Sequence, residues 1–229
     1  MVQGVLNFVV GFSVGYIYST FAEAFIHQYI SDAPKSWLER WNKFPTLFAP
    51  MIRTNYSHHV IHHCSTYHLD HVTQFRNEDE KQKLDDKLRE FPHGREIMGA
   101  LYGNKFSFWG WVASCAPFVP AVFVAYLLLG FSGAIGAFLT LSFPPFMNNY
   151  MHKYTHMPYD LARAQAPVLL SWFISTRYMR AVTRHHFLHH RHSSKNFNMV
   201  LGSDWVRGLV RKPNERDIKE MIRVGIRVD

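Results

Sequence analysis

The chain has 229 residues, 48% of them hydrophobic and 16% aromatic, enough apolar side chain for a sizeable core and too much for a disordered polymer. Two cysteines, Cys64 and Cys115, with no CxxC pair, exclude a disulfide framework and a thiolate zinc finger. The net charge of +8 fits nucleic acid or a membrane surface, and the places where charge is missing decide between them.

Residues 1–22 carry no Asp, Glu, Lys or Arg. They read as a first membrane helix over 1–30 rather than a signal peptide, which would open on a basic stretch and close on small residues before a cut. Pro34, Pro45 and Pro50 mark 31–50 as a linker with at most short helical pieces. Met51–His71 reads as helix, and 77–90 (NEDEKQKLDDKLRE) as a charged helix with a solvated face. From Phe106 to Met151 run 46 residues without a formal charge. A bilayer core takes roughly 20 per helix, so this length predicts a transmembrane hairpin of two spans, with Gly130, Ser132 and Gly133 at the turn and Trp109 and Trp111 as interfacial anchors. A hairpin returns the chain to the side it left, because lipid tolerates only backbone satisfied within a helix.

The basic residues divide into 11 within 31–105 and 14 within 153–229. The positive-inside rule puts both segments in the cytoplasm. Arginines 163, 177, 180, 184 and 191 surround the apolar Val168–Ile174, a pattern suited to a helix on anionic lipid. No groove-reading element or stacking platform points to nucleic acid. The expected fold is therefore a single all-α domain over 1–229: an integral-membrane bundle of three to four embedded helices, with a cytosolic, histidine-rich metal-binding cap formed by 51–105 and 152–229.

Thirteen of the fifteen histidines fall in three windows, 58–71, 152–156 and 185–192. On an α-helix, positions i, i+3 and i+4 share a face. His59, His62 and His63 therefore project together, as do His186, His189 and His190, and His152 and His156 form an i, i+4 pair. Imidazole suits iron, zinc, copper and nickel, and eight convergent rings exceed what one ion can use, so two metals are the natural count. His58, His68, His71, His185 and His192 stand open as ligands, as partners of ligands or as surface residues. His93 reads as a surface residue. A loose metal-sequestering tract would not repeat HxxHH at positions more than a hundred residues apart.

These residues resemble the fatty acid hydroxylase and sterol desaturase superfamily of membrane di-iron oxygenases, whose histidine series runs HxxxxH, HxxHH, HxxxH, HxxHH around a helical hairpin. Three boxes are present as His59/His62/His63, His152/His156 and His186/His189/His190. In the first box His27 follows Glu23, and Asp32 stands at the second histidine position, as an oxygen ligand or as a hydrogen-bonding partner of one; Glu23 is a further carboxylate candidate. The ending is also similar, with Asn196, Phe197 and Asn198 before Asp204, Trp205 and Gly208. The resemblance implies two iron ions held by His27, Asp32, His59, His62, His63, His152, His156, His186, His189 and His190. O2 is then a co-substrate and a lipid-like chain the molecule hydroxylated or desaturated. Electrons come from an external donor such as a ferredoxin or a cytochrome b5-like protein, since no GxGxxG fingerprint is present. Asn149 and Asn196 are candidate orienting groups. Pro144, Pro145, Phe146, Trp172 and Phe173 are candidate channel residues. The competing readings are a membrane zinc hydrolase, which leaves most of the histidines idle and lacks HExxH, and a non-catalytic metal binder or transporter, which wants polar residues within the spans.

Overall fold

The computed structural model describes residues 2–67, 77–90 and 108–229. Among them every regular element is helical. His68, His71, His93 and the entry of the apolar run at 105–107 lie outside the described residues.

The first helix, α1 (Val2–Ile26), carries a single charged residue, Glu23, and passes directly into one π-helical turn, His27–Ser31. Pro34, which disfavours helix at the preceding residue, separates it from α2 (Lys35–Trp41). The third helix, α3 (Ala49–Asn55), continues as an eleven-residue π-helix, Tyr56–Thr66. Next comes α4 (Glu78–Arg89), capped by the Asn77 side chain. Its face is not wholly solvated as expected: Leu88 is fully buried against Ile61 of the π-helix, with Tyr56 and Leu84 beside them.

The uncharged run forms α5 (Phe108–Cys115), a short turn and α6 (Val119–Leu141). Within α6, Gly130 has φ 71° and ψ −169°, a conformation open to a residue without Cβ. Phe118, Ala137 and Leu141 pack in one cluster with Ala121, Val122 and Ala125. In an unbroken helix Phe118 and Leu141 would stand roughly 35 Å apart, so the chain folds back at Gly130 into the expected hairpin. Trp111 Nε1 on the outgoing arm donates to the Ser142 carbonyl of the returning arm at 3.4 Å. Gly133, expected in the turn, instead lies against α1: a Cβ at Gly11 would run into the Gly133 backbone, and one at Gly136 into the Phe8 carbonyl. Small residues thus let the returning arm approach α1 at backbone distance. The Leu129 carbonyl, just before the turn, accepts from Asn7 Nδ2 at 2.7 Å.

Two stretches, Val2–Ser31 and Ala116–Thr155, are long and apolar enough to cross a membrane, and only 22% and 17% of their most apolar windows is buried within the molecule. Val5, Phe12, Ile17, Phe123, Leu128 and Phe131 face outward. A soluble core helix would turn such residues inward.

After the hairpin, α7 (Phe143–Phe146), a π-helical turn Met147–Met151 and α8 (His152–Thr155) lead into the cap. The cap consists of α9 (Tyr159–Gln165), α10 (Val168–Ile174), α11 (Arg177–Arg191), α12 (Ser203–Val206) and α13 (Glu215–Arg223). Val168, Leu169 and Trp172 of α10 are strongly exposed, while Phe173 packs on Phe143 and Tyr178. Between α11 and α12 a strap is tied to α1. The Glu23 carboxylate accepts from Met199 N at 2.7 Å, Val200 N at 2.9 Å and Asn198 Nδ2 at 3.1 Å. Thr20 Oγ1 donates to the Val200 carbonyl and accepts from Ser203 N.

Candidate metal centre

The histidine windows converge where α1, the Tyr56–Thr66 π-helix, α8 and α11 meet. The π-helix decides which of its rings take part. Its hydrogen bonds reach five residues back rather than four, so the residues sharing a face become i, i+4 and i+5. That selects His58, His62 and His63. The α-helical spacing had selected His59, whose side chain is 45% exposed and reaches the site only through Nδ1, 3.5 Å from Asp32 Oδ1. In α11, where the spacing is α-helical, His186 and His190 meet edge to face one turn apart as expected, and His185, His186 and His189 are buried.

The first cluster is made of His62, His152, His156, His186 and His190, one ring nitrogen from each lying within 4.8 Å of all the others. The Nε2–Nε2 separations are 2.8 Å for His152–His186 and His186–His156, 3.1 Å for His186–His190 and His62–His190, and 3.3 Å for His152–His156. With metal–imidazole bonds of about 2.1 Å, ligands at right angles around one ion stand about 3.0 Å apart, so the spacing fits a shared metal. Burial, reinforced by the neighbouring rings, holds His62, His186 and His190 well below the ordinary histidine range. They therefore stay neutral with lone pairs available for ligation.

The second cluster is His27, Asp32, His58 and His63, with His189 against it. Asp32 is its hub: Oδ1 lies 3.0 Å from His58 Nδ1 and 3.8 Å from His63 Nε2, and Oδ2 lies 3.0 Å from His189 Nε2 and 3.5 Å from His27 Nε2. Burial and the adjacent His58 and His189 push His63 down to about 2. His189 Nδ1–H donates to the Lys195 carbonyl at 2.9 Å, leaving Nε2 as a bare acceptor. Yet His27 Nε2, His63 Nε2, His189 Nε2 and Asp32 Oδ2 are buried and none makes a hydrogen bond. Buried acceptors turned toward one another without a donor are costly, and a cation among them removes that cost. This donor set of nitrogens and one carboxylate suits a divalent transition metal, with iron, zinc and manganese all compatible. The two clusters share a wall, since the His63 and His190 rings stack at 4.1 Å.

The candidates from sequence thus divide. His62, His152, His156, His186 and His190 come together in one group and His27, Asp32 and His63 in the other; His189 touches Asp32, and His59 sits at the rim. His58 is the member that α-helical spacing missed. Glu23 stands apart from both groups, its oxygens occupied by the strap. Of the open histidines, His185 Nε2 donates to Asp204 Oδ2 at 3.0 Å, and that oxygen also accepts from Asn198 N. His192 Nε2 is 3.7 Å from Asp217 Oδ1. Asn196, with φ 59°, fixes the loop behind α11 by donating to the His185 and Arg211 carbonyls. Asn149 donates to Pro145 O and Ser114 Oγ and braces the hairpin exit. No family model, curated protein or solved structure matches the chain.

Proposed function

We propose that the protein is an integral-membrane, non-haem di-iron oxidase that uses O2 to hydroxylate or desaturate a lipid-like chain. The observation that carries this reading is the pair of adjoining clusters: five imidazole nitrogens at ligand spacing beside a second set in which buried acceptors meet without a donor. The order of the histidine boxes along the chain, resembling the fatty acid hydroxylase and sterol desaturase superfamily, supports the same assignment.

Iron held there supplies reduction of O2 and removal of hydrogen from an unactivated C–H bond. The balance for hydroxylation is R–H + O2 + two electrons + two protons → R–OH + water; for desaturation the two carbons each lose a hydrogen and two waters form. The electrons come from an external one-electron carrier, and the basic C-terminal third suits an acidic partner. The chain's own residues hold the ligand rings in place. The Lys195 carbonyl fixes the tautomer of His189, and Asp204 steadies His185, one helical turn before it. The outward apolar surfaces of α1 and the hairpin fit a bilayer, and the charge distribution fits a cap in the cytoplasm, at a bacterial inner membrane or the endoplasmic reticulum.

The test is to incubate iron-loaded protein with lipid extract, reductant and O2 and to search by mass spectrometry for products that have gained one oxygen or lost two hydrogens. Product formation that stops on chelation and returns with iron is the expected result. Full activity after thorough chelation, or turnover with zinc alone, overturns the reading.

A further inference from the structure

On α11, Arg177, Arg180 and Arg184 stand at i, i+3 and i+7, a spacing that shares one face. The structure gives them different partners. Arg184 donates to the Arg227 and Asp229 carbonyls at 3.3 and 2.8 Å and so holds the C-terminal segment. Tyr159 N, at the start of α9, donates to the Gly225 carbonyl of the same segment at 2.8 Å. These ties set the Arg227 guanidinium over the Tyr159 ring, 4.6 Å from its centre. Arg180 and Arg227 then line one small cavity of about 20 Å³, together with Tyr154, Tyr159, Ile174 and Thr183. It has room for a single oxygen-sized group. Arg180 Nε is buried and makes no hydrogen bond, and among the described residues no carboxylate pairs with Arg180 or Arg227. A buried guanidinium donor without an acceptor is costly, and an anionic oxygen in the cavity removes that cost.

The adjoining α10 supplies an apolar surface. Val168, Leu169 and Trp172 are 86%, 81% and 70% exposed, while Leu170, Phe173 and Ile174 pack inward. Phe173 stands 6.3 Å from Phe143, two residues past the end of α6, so α10 lies where the returning arm meets the cap. Trp172, an expected channel residue, is thus turned outward. Of the other channel candidates, Pro144 and Pro145 line the cavity beside His27 and His58, whereas Phe146 and Phe173 do not. Ile174, at the end of α10, joins the outward apolar face to the arginine cavity.

Resting on the membrane part of the oxidase reading, we propose that this face of the cap is a binding site for an anionic phospholipid. One phosphate oxygen enters the cavity between Arg180 and Arg227, and the acyl chains lie along Val168, Leu169 and Trp172. The apolar wall favours a lipid over free phosphate, and two arginines without a carboxylate beside them favour an anionic head over a zwitterionic one.

The test weighs the intact full-length protein by native mass spectrometry after release from neutral-detergent micelles holding equal amounts of phosphatidylglycerol and phosphatidylcholine. The readout is the ratio of the two among chains that retain one lipid. Each arginine at an anionic surface is worth about fivefold, so phosphatidylglycerol is expected to lead by roughly 25-fold. Arg180→Gln and Arg227→Gln should each reduce that lead about fivefold, and Arg216→Gln, the same charge change on the exposed face of α13, should leave it intact. Trp172→Ser should lower retention of both lipids. Equal retention of the two lipids, an unchanged ratio in either cavity variant, its loss in Arg216→Gln, undiminished retention in Trp172→Ser, or displacement by an equal concentration of inorganic phosphate overturns the proposal. The measurement involves neither O2 nor reductant, so its failure leaves the oxidase reading to its own test.

Discussion

The two clusters differ in the helix that delivers them and in the charge of their ligands. The first draws its core from an α-helical repeat, His186 and His190, and is built of imidazoles alone. The second draws on π-helical turns at His27–Ser31 and Tyr56–Thr66 and contains a carboxylate. A carboxylate lowers the net charge of a bound dication and holds it more tightly. His27 and His58 of the second cluster also line a cavity of about 770 Å³. On the oxidase reading, the difference implies a division of labour, with one ion caged among histidines and the other facing the substrate.

The sharpest way to break this comparison is to empty the clusters one at a time. His186→Ala should lower the iron content from about two ions per chain to about one and abolish oxidation, with helical circular dichroism unchanged. Asp32→Asn should remove the other ion to a similar extent. If either variant loses both ions, the two groups act as a single site.

Acid should separate them next. His62, His186 and His190 titrate below the ordinary value in the folded chain, whereas the unfolded chain takes up these protons at about pH 6.5. Below that pH the unfolded state binds more protons, so stability falls with acid, rises with pH up to about 6.5 and is flat above it. Burial pushes the Asp32 carboxyl up, but the hydrogen bond from His58 Nδ1 at 3.0 Å helps hold it well below the carboxylate range, so the second cluster keeps an anion in this window. Metal analysis after gel filtration between about pH 7 and 5 should find the all-imidazole cluster emptying first. Simultaneous release would remove the distinction.

A smaller effect is expected from Asp204→Asn, which frees His185. Iron affinity, measured by competition with a chelator, should drop about tenfold to a hundredfold without loss of the fold. Smallest is Gly11→Ala. The added methyl pushes α1 off the returning arm and should cost about 1–3 kcal/mol, seen as a lower melting temperature with the ratio of iron to protein unchanged.

The histidines that gather were legible because clustering and α-helical spacing are properties of the sequence, and in α11 the helix obeys that spacing. His58 was not legible in the same way. A π-helix changes the face by one residue, and no residue type marks its presence in advance. Gly130 as the turn of the hairpin followed from the length of the uncharged run, but the role of Gly133 depended on which helix packs there. Glu23 looked like a ligand because of its place before His27. Three of the hydrogen bonds to it come from a strap about 175 residues away, a partnership that local pattern does not carry.

His27, Asp32, His58 and His63 all fall within the first 63 residues, whereas the five-imidazole cage draws on residues as late as His190. A ribosome makes the amino end first, so all of the second set except His189 exists while the hairpin and α11 are still unsynthesised. If both clusters hold metal, their ligands are thus made in two stages, the carboxylate set largely before the hairpin and the imidazole cage only once α11 has emerged.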